Sequence, residues 1–239
     1  MTAALRAEIC RVGASLYQRG YVHASAGNIS VRTDSGHLIT PTDACLGTLE
    51  PARLAEVNAQ GEQVAGDRAS KTLALHRAIY AAEPDARCII HTHATHLVAL
   101  TLAGRNGAPG RQAAAPRGGS SAPAEPDALE NADDIVPPIT PYYVMKVGHV
   151  PLIAYHRPGD PAVAALVAQR IVRARERGAP IRAVMLERLG PVVWHRTPAE
   201  ASAVLEELEE TARLWLMTKA APLSAAQIDE LRTHFGAHW

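Results

Sequence analysis

At 239 residues the chain is long enough to bury one large core and too short to require two, so a single domain spanning 1–239 is expected. Twenty-four lysines and arginines balance twenty-four aspartates and glutamates, which excludes the broad electropositive surface that nucleic acid or an anionic membrane would select. The three cysteines, Cys10, Cys45 and Cys88, are scattered and form no CxxC pair; this argues against a disulfide framework or a cysteine zinc site and fits a reducing cytoplasm.

Leu5, Ile9, Val12 and Leu16 recur at helical spacing, which predicts an amphipathic helix from Thr2 to about Arg19, ended by Gly20. Arg6, Glu8, Arg11 and Arg19 interrupt it too often for a signal peptide or a membrane span. Between Asn28 and Thr40 two short apolar runs flank Asp34-Ser35-Gly36, a hairpin signal, and Pro41 stops the second strand. A helix over about Ser70 to Ala82 places Leu73, His76 and Tyr80 on one face, and the run RCIIHTH that follows reads as a buried strand.

From Gly104 to about Asp134 the chain is rich in Gly, Pro, Ala and Ser with almost no large apolar side chains, so burial cannot offset its ordering entropy; a disordered insertion is expected there. Beyond it, YYVMKV and VPLIAY read as strands, followed by a helix from Asp160 to about Arg175 and strands near Ala183–Leu186 and Pro191–Trp194. Helices over Pro198–Met217 and Ser224–His234 close the chain. The charged run EELEETA, Glu206 to Ala212, reads as a solvated or subunit-facing helix surface, and Trp194, Trp215 and Trp239 as packing residues. Hairpins mixed with helices indicate a mixed sheet covered by helices.

Two groups of residues carry chemistry. His91 and His93 are two apart in a predicted strand, so their imidazoles leave one face and both reach an ion at about 2.0–2.1 Å. His96 lies past the expected strand end, where a further ligand, a supporting donor and a helix-start residue are all open readings. The second group is SAGNIS (Ser25–Ser30), TPTD (Thr40–Asp43) and ASK (Ala69–Lys71) ahead of a helix. Gly27 permits close backbone approach, Asn28, Thr42 and Ser70 offer neutral donors, and Ser70-Lys71 adds helix N-terminal amides and an ammonium, an arrangement suited to phosphate.

The order GNIS, ITPTD, a serine-containing helix start before LHRAIY, and an apolar strand ending in His-x-His resembles the class II aldolase/adducin family. EICRVGASLYQRGY, ITPYYVMKVGHVPL and RPGD are similar to its bacterial 3-oxo-tetronate 4-phosphate decarboxylase branch. That resemblance implies a three-layer α/β/α fold with a mixed, largely antiparallel sheet. It also implies a homotetramer, a small phosphorylated sugar-acid substrate and a divalent metal, usually zinc, on His91 and His93. Phosphate would lie on Asn28, Thr42, Ser70 and Lys71, the last also lending positive charge to catalysis. Two positions depart from the family: Thr72 replaces a proton-transferring glutamate, and Leu189 replaces the third metal histidine, with Glu187, His156, His149 and His96 as open substitutes. A β-keto acid loses carbon dioxide without a base, so Thr72 is easier to accept in a decarboxylase than in an aldolase; an aldolase and a non-catalytic adducin-like protein are the competing readings.

Overall fold

The computed structural model describes residues 2–102 and 134–239. The two segments supply strands to a single eight-stranded sheet of order β4-β3-β2-β1-β5-β8-β7-β6. In chain order these are β1 (Asn28–Thr33), β2 (Gly36–Ile39), β3 (Ala55–Asn58), β4 (Gln63–Ala65), β5 (Cys88–His91), β6 (Leu152–Ile153), β7 (Ala183–Leu186) and β8 (Gly190–His195). Every neighbouring pair is antiparallel except β6 with β7, so the sheet is mixed and largely antiparallel.

Alternation along the central strands decides which helix packs where. Ile29, Val31, Cys88, Ile90, Met185 and Val193 point to one face, where α1 (Thr2–Gln18), α3 (Thr95–Leu102) and α5 (Pro198–Thr218) bury them. Ile89, Val184, Leu186, Val192 and Trp194 point to the other, under α2 (Leu73–Ala82) and α4 (Pro161–Glu176). The result is helix, sheet, helix. Each fully buried isoleucine or leucine contributes about 1.5–3 kcal/mol relative to exposure, so the two apolar layers hold the strands in register. The last helix, α6 (Ala225–Phe235), begins with a capping box in which Ser224 and Gln227 each bond the other's backbone N–H.

Two sequence expectations change, and two strands appear where none was expected. YYVMKV is no strand: Tyr143–Val147 is a single π-helical turn. Thr140-Pro141 starts it, with the Thr140 hydroxyl accepting from the Tyr143 N–H at 3.1 Å, and Tyr143, Val144 and Val147 are the buried members. β5 ends at His91, so His93 lies beyond the strand rather than in it. Finally, β3 and β4 extend the sheet past the hairpin. The expected insertion at about 104–134 lies, apart from Asp134, outside the described residues.

Candidate active site

β1 lies beside β5 with Asn28 opposite His91, and residues directly opposed in an antiparallel pair project to the same face. His91 therefore leaves the sheet beside Asn28, on the α2 and α4 side. It is 2% exposed, and its Nδ1–H donates to the Pro191 carbonyl at 2.9 Å, which fixes the ring and leaves Nε2 as the free lone pair. Burial above all, with the neighbouring His93 ring, lowers its pKa to about 4 against the opposing pull of the Pro191 carbonyl; the imidazole is neutral at pH 7. His93, half-buried, is likewise pushed down, by burial and then by His23.

The His91 and His93 ring centres are 5.1 Å apart at 60°. Two imidazoles on one tetrahedral ion, with bonds of about 2.0–2.1 Å, have centres about 5 Å apart, so the pair fits a shared divalent cation. The polar atoms around it agree. Asn28 Oδ1, His76 Nε2 and Thr92 Oγ1 are buried with no hydrogen-bond partner among the described residues, as are Arg32 Nε, His37 Nδ1 and Trp194 Nε1 elsewhere; the first three leave unsatisfied polar atoms for a bound group beside the pair. Two glycines permit the close backbone approach. A Cβ on Gly27 (φ +82°) would lie 2.8 Å from the His91 carbonyl oxygen, and one on Gly190 (φ +136°) 2.0 Å from that of Thr92.

The donor-rich loops meet next to this pair. The Thr40 hydroxyl accepts from the Ile29 N–H at 3.1 Å, and the Ser70 N–H donates to the Thr40 carbonyl at 3.2 Å, so β1, the loop after β2 and the approach to α2 are stitched together. Ser70 is buried, its hydroxyl 3.0 Å from that of Thr72 at the start of α2. Lys71 is exposed, its ammonium 3.9 Å from Asp43. Lys71, Thr72 and His91 line one pocket, whereas Thr42 lines a separate polar cavity with Asp43, Arg53 and Arg68.

Of the substitutes considered for the third ligand, Glu187 and His156 line the His91 pocket together with Leu189. Glu187 accepts from the Tyr155 N–H at 2.8 Å, and His156 Nδ1–H donates to the Ala154 carbonyl at 2.8 Å. The other two are held elsewhere. His149 pairs with Asp134 and stacks on Trp239, and His96 pairs at 2.7 Å with Glu209. That Glu209, 4% exposed, also accepts from the His96 and Leu97 N–H groups, so the EELEETA run carries a buried carboxylate and not a wholly solvated surface. Among the described residues no group of three or more His, Cys, Asp or Glu side chains is arranged to hold an ion.

The sequence passed over His23 and gave His76 no role beyond a place on a helix face. His23 stands 6.3 Å from His93, in a loop with no periodicity to mark it. His76 reads as a core residue, yet its Nδ1 is 2.7 Å from the Ser30 hydroxyl, itself 2.9 Å from the Tyr80 hydroxyl. A polar His and Tyr four apart on an apolar helical face was the available signal.

The profile of the Class II Aldolase and Adducin N-terminal domain matches residues 7–216. The chain belongs to the class II aldolase and adducin family. Within this family it is 53% identical to the 3-oxo-tetronate 4-phosphate decarboxylase of Cupriavidus necator, over 98% of this chain and 97% of that protein. It is 37% identical to the Escherichia coli K12 protein of the same name, over 96% and 95%. Among solved structures, YgbL from Escherichia coli superposes with a TM-score of 0.77 at 36% identity, covering 97% of this chain and 99% of that one. A class II aldolase fold is thus shared along nearly the whole length.

Proposed function

We propose that this chain is a carboxy-lyase converting a 3-oxo-tetronate 4-phosphate into dihydroxyacetone phosphate and carbon dioxide, with a divalent cation, zinc by preference, held by His91 and His93. The observation that carries this reading is the 53% identity, end to end, with the Cupriavidus necator protein of that name. The paired imidazoles, set beside donor-rich loops at the start of α2, support it.

Asn28 and Ser70, with the first amides of α2, hold the phosphate, and Lys71 adds positive charge from the exposed side, whereas Thr42, which lines a separate cavity, lies off this site. His91, fixed by Pro191, and His93 present neutral nitrogens to the cation. A divalent ion held by His91 and His93 would supply Lewis acidity to the substrate's ketone. The carboxylate lies β to the ketone, so the electron pair of the breaking carbon–carbon bond moves into the ketone and gives an enediolate; a proton from water then completes dihydroxyacetone phosphate. No base is needed to begin. Thr72, its hydroxyl paired with Ser70, therefore suits this reaction better than an aldol cleavage.

Purified protein supplied with zinc or manganese and a 3-oxo-tetronate 4-phosphate should release carbon dioxide and dihydroxyacetone phosphate in equal amounts. A rate no higher than the spontaneous one defeats the reading. The resemblance to the family also supports a homotetramer, for which exposed Tyr17, Tyr142 and Tyr155 offer apolar contact area, and sedimentation of the intact protein tests it. Free Cys10, Cys45 and Cys88 suit a reducing cytoplasm, and no described helix is long and apolar enough to cross a membrane.

A further inference from the structure

Beside His91 the fold leaves a pocket of ≈ 90 Å³ between the start of α2, the start of α4 and the turn joining β7 to β8. One water needs about 10–15 Å³, so a group of several atoms fits. Leu186 and Leu189 form one stretch of wall, and the rest carries charge of both signs: exposed Lys71 and Arg157, and the carboxylates of Asp160 and Glu187. The two carboxylates are held differently. Asp160 caps α4 by accepting from the Ala162 N–H at 3.0 Å and turns its second oxygen to Arg157 at 4.0 Å. Glu187 accepts from the Tyr155 N–H at 2.8 Å through one oxygen, and its other oxygen has no hydrogen-bond partner among the described residues. The turn that carries it is pinned on three sides. The Glu187 N–H donates to the Ile153 carbonyl at 2.9 Å, the Arg188 N–H donates to the Thr101 hydroxyl at 2.9 Å, and Gly190 lets the backbone press against Thr92, between His91 and His93. Among the described residues no three His, Cys, Asp or Glu side chains are arranged to hold an ion, so Glu187 shares a pocket with His91 without joining the histidine pair as a ligand.

We propose that Glu187 is a catalytic residue, the acid through which a proton from water reaches the carbon that has lost its carboxylate. The proposal rests on the decarboxylase reading. Departure of carbon dioxide leaves the bonding electron pair in an enediolate, which must gain one proton at that carbon. Protonated Glu187 gives it: the O–H bond breaks, a C–H bond forms from the enediolate pair, the ketone returns, and the carboxylate left behind is reprotonated by water. In the reverse sense the Glu187 carboxylate removes one hydroxymethyl hydrogen from dihydroxyacetone phosphate. Water alone meets a planar enediolate from either side, whereas a carboxyl on a pinned turn meets it from one. Thr72, on the same pocket, offers only a hydroxyl already paired with Ser70.

Turnover of zinc-loaded protein in deuterium oxide tests it. The unaltered chain should release dihydroxyacetone phosphate deuterated with a single handedness at the hydroxymethyl carbon, and should exchange that same hydrogen when given dihydroxyacetone phosphate alone. Glu187→Gln keeps an acceptor for the Tyr155 N–H; it should exchange about a hundredfold or more slowly and give product of both hands, with carbon dioxide release falling less. Glu187→Asp, still an acid, should keep the single hand, and so should His156→Gln on the same pocket. Should Glu187→Gln not fold, Glu187→Met takes its place with the same expected result. Product of both hands from the unaltered chain, an unchanged hand and exchange rate in Glu187→Gln, loss of zinc from that variant, or an equal effect of His156→Gln overturns the assignment of Glu187 and leaves the decarboxylase reading standing. No carbon dioxide from the unaltered chain, with exchange that still depends on Glu187, removes the decarboxylase reading and leaves the proton transfer; absence of both removes both.

Discussion

His76 is fully buried, and burial, with smaller contributions from His91 and His37, lowers its pKa to about 3. Half-buried His37 is lowered to about 4, by burial first and by Arg32 and Arg77 second. In the unfolded chain both return to about 6.5, so the unfolded state takes up protons first as the pH falls. Their contribution to stability is complete above that value and is lost as the pH drops from about 6.5 towards 4 and 3. For His76 alone the loss approaches about 1.4 kcal/mol per pH unit inside that window. Urea unfolding of the metal-free protein at pH 7.5, 6 and 5 should show it, and a flat profile would contradict this account. At this scale the sequence was partly legible. His91, His93, Asn28 and Ser70 announced themselves by residue type and by spacing within recognisable turns, and the fold gathers them. His23 and the Leu189 pocket did not, because each gains meaning only from a neighbour distant in the chain.

Helix ends were the most readable elements, since their signals are local. Asp160-Pro161, Thr197-Pro198 and Ser224 with Gln227 mark starts that the side-chain caps of α4, α5 and α6 bear out. The π turn at Tyr143–Val147 was misread because aromatic and β-branched residues imitate a strand, although Thr140-Pro141 ahead of it carries a helix-start signature. β3 and β4 have only four and three residues, too few for alternation to stand out. Glu209 was hidden among other acids. From α5 it receives two backbone N–H groups at the start of α3, doing across space what a cap does within a chain. Replacing it with alanine strands those donors and should destabilise the protein by about 2–4 kcal/mol, read as a lower denaturant midpoint with an unchanged slope. Glu209→Gln, which keeps an acceptor, should lose less; equal losses would show that the carboxylate's charge, not its hydrogen-bonding capacity, sustains α3.

Every residue proposed for metal or phosphate lies before Leu102, on the part of the sheet formed by β1 to β5, while β6 to β8 come from beyond Asp134. The later segment contributes Pro191, which orients His91, and the Leu186 and Leu189 wall. The boundary between the two runs along one ladder, β5 against β8, where Cys88 faces His195 and His91 faces Val192, and both sides share the core beneath α5. A molecule divided in this way lends itself to complementation. Residues 1–102 and 134–239, expressed together as separate polypeptides, should find each other through that seam and copurify as a soluble pair, each fragment alone being left with a raw strand edge and half an interior.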